Sequence, residues 1–236
     1  MTREEKELVV SFLKKIGLCC KDIETFFISL VHSSYANEQL QLGRDDITSN
    51  ERLEFLGDAV VDLVVCDLLY RKYPNATEGE MSKVKAAVAS EKILSMIARE
   101  IKLGNYLFLG KGEENTGGRD RDSILADAFE ALLGAIYITW GFSKVKEIFG
   151  GMFSHYISLV MERKLLFDYK TALQEFTQKT LKELPEYRVI RKKNNAFVVE
   201  VLIANKVMGR GSGRSKKEAE KAAAEAAYKA LMESEK

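Results

Sequence analysis

Four acidic side chains, Glu51, Glu54, Asp58 and Asp62, recur at steps of three, four and four in a segment otherwise rich in Leu, Val, Phe and Ala. On a helix those steps place all four on one face. Like charges so spaced repel by roughly a few tenths of a kcal/mol per pair even in water. Burial adds to that cost unless a proton or a cation neutralises them. A second apolar segment, Ser123–Tyr137, carries Asp127 and Glu130 three residues apart among small and apolar neighbours. Packed face to face, two such helices would converge carboxylates with no basic residue among them. Oxygen-only ligation suits Mg²⁺ or Mn²⁺, hard cations that favour carboxylate and water. Before any packing is known, a solvated acidic face on each helix is the more economical reading of the spacing alone. Only His32 and His155 are present, which disfavours a histidine-rich zinc site, and no nucleophilic triad presents itself. A four-carboxylate di-iron bundle would need Glu-x-x-His pairs, and neither acidic segment contains histidine.

The elements that must position these residues follow from apolar periodicity. Three- and four-residue spacing predicts helices over 7–17, 51–71, 80–100, 122–139 and 142–163, with loops at 41–49, 73–79 and 110–121. Thr48 stands at capping-box distance from Glu51, Asn50 is a second candidate cap, and Pro74 ends that helix near Tyr73. After Phe167 the period changes. A helix over 170–183 precedes strands at 187–191, 197–203 and about 206–211, the last two joined by a tight turn at Ala204-Asn205. An alanine-rich helix from Ser215 to Met232 closes the chain. The expected architecture is an all-α domain over residues 1–163 and a small α+β domain, α-β-β-β-α, over 168–236. The connector Arg163–Asp168 contains neither glycine nor proline.

Composition narrows the class. The 236 residues are 46% hydrophobic and 30% charged, as in a globular protein of one large or two smaller domains. No uninterrupted apolar run reaches the roughly 18 to 20 residues needed to cross a membrane, and the N-terminus lacks a signal-peptide core. Three cysteines, two of them the adjacent Cys19 and Cys20, make a poor disulfide framework, so a cytoplasmic location with reduced thiols is the simplest expectation. The net charge of +1 hides an asymmetry: residues 168–236 hold 15 Lys+Arg against 10 Asp+Glu, leaving 21 against 25 for the rest. A basic C-terminal module beside an acidic body suits a polyanion partner, although ordinary charge scatter gives the same count. Lys216, Lys217 and Lys221 open the last helix, where the helix dipole prefers negative charge. Placed there they converge with the positive helix end on a phosphate, unless they line a solvated Lys/Glu face. Ala219, Ala222, Ala223, Ala226 and Ala230 form a small-residue face that lets the helix lie close on a sheet.

The segment Asn50-Glu-Arg-Leu-Glu-Phe-Leu-Gly-Asp-Ala-Val60 resembles the signature of ribonuclease III, and Ser123–Tyr137 is similar to that family's second acidic helix. His32-Ser-Ser-Tyr-Ala-Asn-Glu38 near the start and Leu109-Gly-Lys-Gly-Glu-Glu-Asn-Thr-Gly-Gly-Arg119 before the second acidic helix match as well, in order. The resemblance implies a metal-dependent endoribonuclease that cuts double-stranded RNA, in rRNA and mRNA processing and decay, leaving 5′-phosphate and 3′-hydroxyl ends. It implies Glu54, Asp58, Asp127 and Glu130 as catalytic carboxylates that hold Mg²⁺, with Mn²⁺ able to substitute, and Asp58 and Glu130 as the pair most sensitive to change. Two-metal chemistry would activate water at one ion and stabilise the leaving 3′ oxygen at the other. A homodimer joined at Phe55 is implied as well. Glu51 and Glu78 match acidic positions outside the quartet, with a structural or interface role at least as fitting as catalysis.

Gly209–Ala223 resembles the C-terminal half of a double-stranded-RNA-binding domain, and Asp168-Tyr-Lys-Thr-Ala-Leu-Gln-Glu175 is similar to its opening helix. By that resemblance Lys216, Lys217 and Lys221 bridge phosphates across the major groove, while Thr171, Gln174 and Glu175 face a minor groove. Recognition would be of A-form shape over about 16 bp. Lys192-Lys-Asn-Asn-Ala196 is shorter than the family's first strand-joining loop and lacks its proline and histidine, which puts a second minor-groove contact in doubt. The glycine-rich stretch 110–118 lacks P-loop spacing, so no nucleotide cofactor is expected; it reads as an exposed loop, with Lys111 and Arg119 as RNA contacts. No membrane partner is expected. The alternative is a non-cleaving double-stranded-RNA-binding regulator, which the complete carboxylate quartet argues against. Changing Lys216 and Lys217 together to Ala should weaken duplex binding for every sequence and flatten its salt dependence by about two phosphate contacts. A salt titration of binding checks this, and an unchanged slope would contradict the phosphate assignment.

Overall fold

Local capping and long-range charge together set the first helices. α1 (Arg3–Lys15) opens on a capping box between Thr2 and Glu5, α2 (Ile23–Ser29) is capped by Asp22, and α3 (Ser33–Gln41) is capped by His32. The computed structural model describes residues 1–19, 21–162, 169–193 and 196–234. Cys20, the connector Arg163–Asp168 and Asn194 and Asn195 of the shortened loop lie outside them. The chain divides into two units, Met1–Leu165 and Leu166–Lys236.

In the first unit α4 (Glu51–Lys72), α5 (Glu78–Val88), α6 (Glu91–Glu100), the short α7 (Lys111–Asn115), α8 (Asp122–Trp140) and α9 (Phe142–Met161) follow in turn. α8 is the central element. From Ile124 to Ile136 every residue is buried except Asp127 and Glu130, and Phe129 meets Phe149 edge-on at 5.1 Å between ring centres. By length and composition α8 alone among the described helices has what a membrane span requires, but here its apolar surface is taken up by neighbouring helices. α4 packs most extensively on it. A Cβ at Gly57 would overlap the Glu130 carbonyl, and one at Gly134 would overlap the Leu53 carbonyl, so the two helices meet backbone to backbone.

Three expectations for this unit need correction. The periodic stretch 80–100 is two helices, broken at Ala89-Ser90, because Ser90 adopts extended geometry and starts α6. Neither Thr48 nor Asn50 caps α4 with its side chain: Asn50 has helix-like backbone angles and is buried, and its N–H donates to the Val31 carbonyl at 2.9 Å. The glycine-rich stretch is exposed over most of its length, as expected, but it is not a loop, since α7 and a 3-10 turn at Gly118–Asp120 organise it. Arg119 is spent inward, donating to the Gly104 and Leu107 carbonyls at 3.0 and 2.8 Å and pairing with Glu114.

In the second unit α10 (Tyr169–Thr180) leads into an antiparallel sheet of β1 (Glu186–Lys193), β2 (Ala196–Ile203) and β3 (Lys206–Gly213), in the order β1-β2-β3. Ala204 and Asn205 both have positive φ, as a two-residue hairpin turn with the strands' own twist requires. α11 (Lys216–Ser234) lies directly on β3, because Gly209, Gly211 and Gly213 leave no Cβ between strand and helix. The buried helix face is Ala219, Ala223, Ala224, Ala227 and Tyr228; Ala222 is half-buried, and Ala226 and Ala230 face solvent, contrary to the small-residue face read from the sequence.

A buried ionic knot, with no local sign in the sequence, ties α1 to α3 and the loop after it. Glu5, 6% exposed, accepts from the Tyr35 hydroxyl at 2.6 Å and from Arg44 Nη1 at 3.1 Å. Burial pushes the Glu5 carboxyl up, but Arg44, Tyr35 and the Thr2 N–H outweigh it and hold the group at about 2. Its stabilising effect is therefore present above the ordinary value of 4.5 and is lost as pH falls toward 2. Glu5→Gln should destabilise the protein by about 2 kcal/mol at neutral pH, as expected for charged hydrogen bonds, and make acid unfolding shallower between those two pH values. Denaturant melts at pH 3 and pH 7 check this; equal losses at both would contradict it.

Candidate metal centre and nucleic-acid interface

Because α4 and α8 touch at their glycines, the acidic residues flanking that contact are forced together. Carboxylate oxygens of Glu54, Asp127 and Glu130 lie within 4.8 Å of one another. Asp58, one turn further along α4, is exposed and stands outside that trio, yet it is the largest charged influence on Glu130. Among the described residues no Lys or Arg forms an ion pair with any of these four. Burial, then repulsion from Asp58, Asp127 and Glu54, pushes Glu130 up to about 8. Glu54 is raised by burial, then by Asp127, Glu51 and Asp58. Asp127 is raised by burial and then by Glu91, with His32 acting in the opposite direction. Such a site holds a proton at neutral pH or exchanges it for a cation, and its oxygen-only donors fit a hard divalent ion.

The other acidic candidates are engaged elsewhere. Asp62 leaves the stripe by accepting from Lys85 Nζ at 2.6 Å. Glu51 accepts from the Ser49 hydroxyl and Glu78 from the Ser82 hydroxyl, each at 2.8 Å. Phe55 projects from α4 with 83% of its surface exposed, beside a groove that includes Ile28, Leu56 and Ile138. Lys111 is exposed, its Nζ 3.8 Å from Glu38.

On the second unit a cavity of about 600 Å³ brings Thr171 and Gln174 of α10 together with Lys217 and Lys221 of α11. Lys170, Leu184, Pro185 and Tyr187 complete its walls. Glu175 and Lys216 are exposed but do not line it; Lys216 Nζ lies 3.7 Å from Glu220. Lys170 and Tyr187 went unnoticed in the sequence. Lys170 directly precedes Thr171, and helical spacing put it on the same end of α10.

A helical unit with converging carboxylates, followed by an α-β-β-β-α unit with a basic face, defines a nuclease-like class joined to a nucleic-acid-binding module. The comparisons specify it. The family described as ribonuclease-III-like matches residues 22–157, and the double-stranded RNA binding motif matches residues 169–231. The chain is 49% identical to the ribonuclease 3 of Pseudothermotoga lettingae over 98% of its length and 99% of that protein's. It is 43% identical to the ribonuclease 3 of Borreliella burgdorferi, over 98% and 94%. A solved nuclease domain of ribonuclease III from Campylobacter jejuni, 36% identical, aligns with a TM-score of 0.55 and covers 62% of this chain and 96% of that one. The chain belongs to the ribonuclease III family and is an endoribonuclease specific for double-stranded RNA.

The raised Glu130 fixes a pH dependence. Between about 4.5 and about 8 the folded, metal-free site keeps a proton that the unfolded chain has lost. Stability from this group is therefore full below 4.5 and is lost as pH rises through 8. In chelator the parent's melting temperature should fall from pH 5 to pH 8 more than that of Glu130→Gln, and saturating Mg²⁺ should reverse the difference. Parallel melting curves for the two proteins would contradict the assignment.

Proposed function

We propose that Glu54, Asp58, Asp127 and Glu130 hold Mg²⁺, or Mn²⁺ in its place, and that cleavage of double-stranded RNA takes place at this cluster. The observation that carries the reading is the approach of Glu54, Asp127 and Glu130 within 4.8 Å, with Asp58 one turn away. A divalent ion, when bound, supplies activated water and stabilises charge on the departing 3′ oxygen, which leaves 5′-phosphate and 3′-hydroxyl ends. The chain's own contribution is to fix four anionic oxygens on two helices that cannot move apart without opening the core. Glu130, pushed up to about 8 by burial and its acidic neighbours in the empty site, gives up its proton when it takes a cation.

Binding and chemistry are divided, with catalysis in residues 1–163 and duplex recognition in residues 168–236. The clustering of Thr171 and Gln174 with Lys217 and Lys221 supports a face that meets hydroxyls of one groove and phosphates of the next, and exposed Glu175 and Lys216 extend it. The protein works as a homodimer: an aromatic ring as exposed as Phe55, beside an apolar groove, is the anchor-and-pocket pattern of a self-complementary interface. The free thiols Cys19 and Cys66 suit a cytoplasmic enzyme of rRNA and mRNA processing.

Glu130→Gln keeps side-chain size and helix propensity but replaces an anionic ligand with a neutral amide. Single-turnover cleavage of a labelled duplex in Mg²⁺ should fall more than about 100-fold, the scale of losing a transition-state electrostatic contact. Duplex binding in Ca²⁺ and the dimer should persist. Cleavage within about tenfold of the parent would contradict the reading, as would loss accompanied by a lower melting temperature and a lost dimer.

A further inference from the structure

Among the lysines of the second unit's basic face stands a largely buried carboxylate, Glu220. It stands on α11 between Lys216 and Lys221, with its side chain 14% exposed. Its Oε2 accepts from Lys170 Nζ of α10 at 2.7 Å, and its Oε1 lies 3.7 Å from Lys216 Nζ. The Lys170 ammonium also sits over the Tyr187 ring of β1, 4.6 Å from its centre. One ammonium therefore joins three elements at the wall of the cavity shared with Thr171, Gln174, Lys217 and Lys221.

We propose that Glu220 is a specificity-determining positioning residue: it fixes Lys170 as a further phosphate-contacting donor and tunes the basic face to the A-form duplex. The proposal rests on the reading of this face as the RNA-binding surface. An ammonium carries three N–H donors, so Lys170 bound to Glu220 still offers donors to a phosphate, now from a fixed position. At the same time the carboxylate cancels one unit of positive charge, which lowers attraction to every polyanion regardless of its shape. The pair thus trades shape-blind attraction for geometry. Phosphates of an A-form duplex at the matching positions gain the placed donor, whereas those of a B-form duplex meet a face with less net charge.

The test uses the full-length protein in Ca²⁺, with an RNA duplex and a DNA duplex of the same sequence. Glu220→Gln should tighten binding to DNA by roughly three- to tenfold and steepen its salt dependence by about one phosphate contact. RNA affinity should stay within about twofold, so that the RNA preference shrinks. Lys170→Ala should weaken RNA binding more than DNA binding, with the melting temperature as folding control; this second variant keeps the test valid should Glu220→Gln fold poorly. A parent that prefers RNA, with both variants keeping that same preference, overturns the proposal alone. A parent that binds both duplexes alike overturns the RNA-binding reading and the proposal with it.

Discussion

The backbone contact between α4 and α8 governs the rest of the first unit. Gly57 lies against the Glu130 carbonyl and Gly134 against the Leu53 carbonyl, and neither place has room for a Cβ. Glycine within a helix costs about 1 kcal/mol relative to alanine. Two such positions are offset by the dense apolar packing that α8 makes from Ile124 to Ile136. The same approach leaves Asp127 and Glu130 as the unburied residues of that span and places them opposite Glu54. The approach of these carboxylates is thus a by-product of close helix packing, held by backbone rather than by flexible side chains.

Charge is distributed accordingly. Further along α4, Asp62 is neutralised by Lys85, and Asp67 by Lys146 and Arg71. Next to the glycine contact no such ion pair is found among the described residues; burial first, and then neighbouring carboxylates, raise Glu54, Asp127 and Glu130, the neighbour being Glu91 in the case of Asp127. Partly buried acidity without cationic partners is thus concentrated beside this contact, which is the electrostatic condition for binding a divalent ion. The second unit repeats the packing principle with opposite charge. Alternate glycines of β3 bring α11 onto the sheet, and the lysines at the start of α11 stand beside those of α10.

Much of this was legible in sequence because it is local. Periodicity marked α4, α8 and α9, Pro74 marked the end of α4, and Ala204-Asn205 marked a hairpin. The acidic residues were visible from spacing, though only a resemblance singled out four of them, and Asp62 proved to belong to an ion pair. What escaped was non-local or masked by continuity. The break at Ala89-Ser90 interrupts an apolar pattern that runs on from Val84 and Val88 to Ile93 and Ile97, without glycine or proline to signal it. Glu5 meets Tyr35 and Arg44 across 30 and 39 residues, a distance over which no periodic pattern reports. Gly57 and Gly134 did leave a signal, since a glycine inside a strongly helical apolar run asks for a close neighbour.

A cation site built by two packed helices from carboxylates that are partly protonated when empty must release protons as it fills. Titrating the metal-free protein with Mn²⁺ at pH 7, following free ion by electron paramagnetic resonance and proton release by a pH indicator, tests it most directly. Saturable binding accompanied by proton release is expected, because burial and the neighbouring carboxylates push Glu130 up to about 8 and it must give up its proton to become a ligand. Weak, non-saturating uptake without proton release would contradict it.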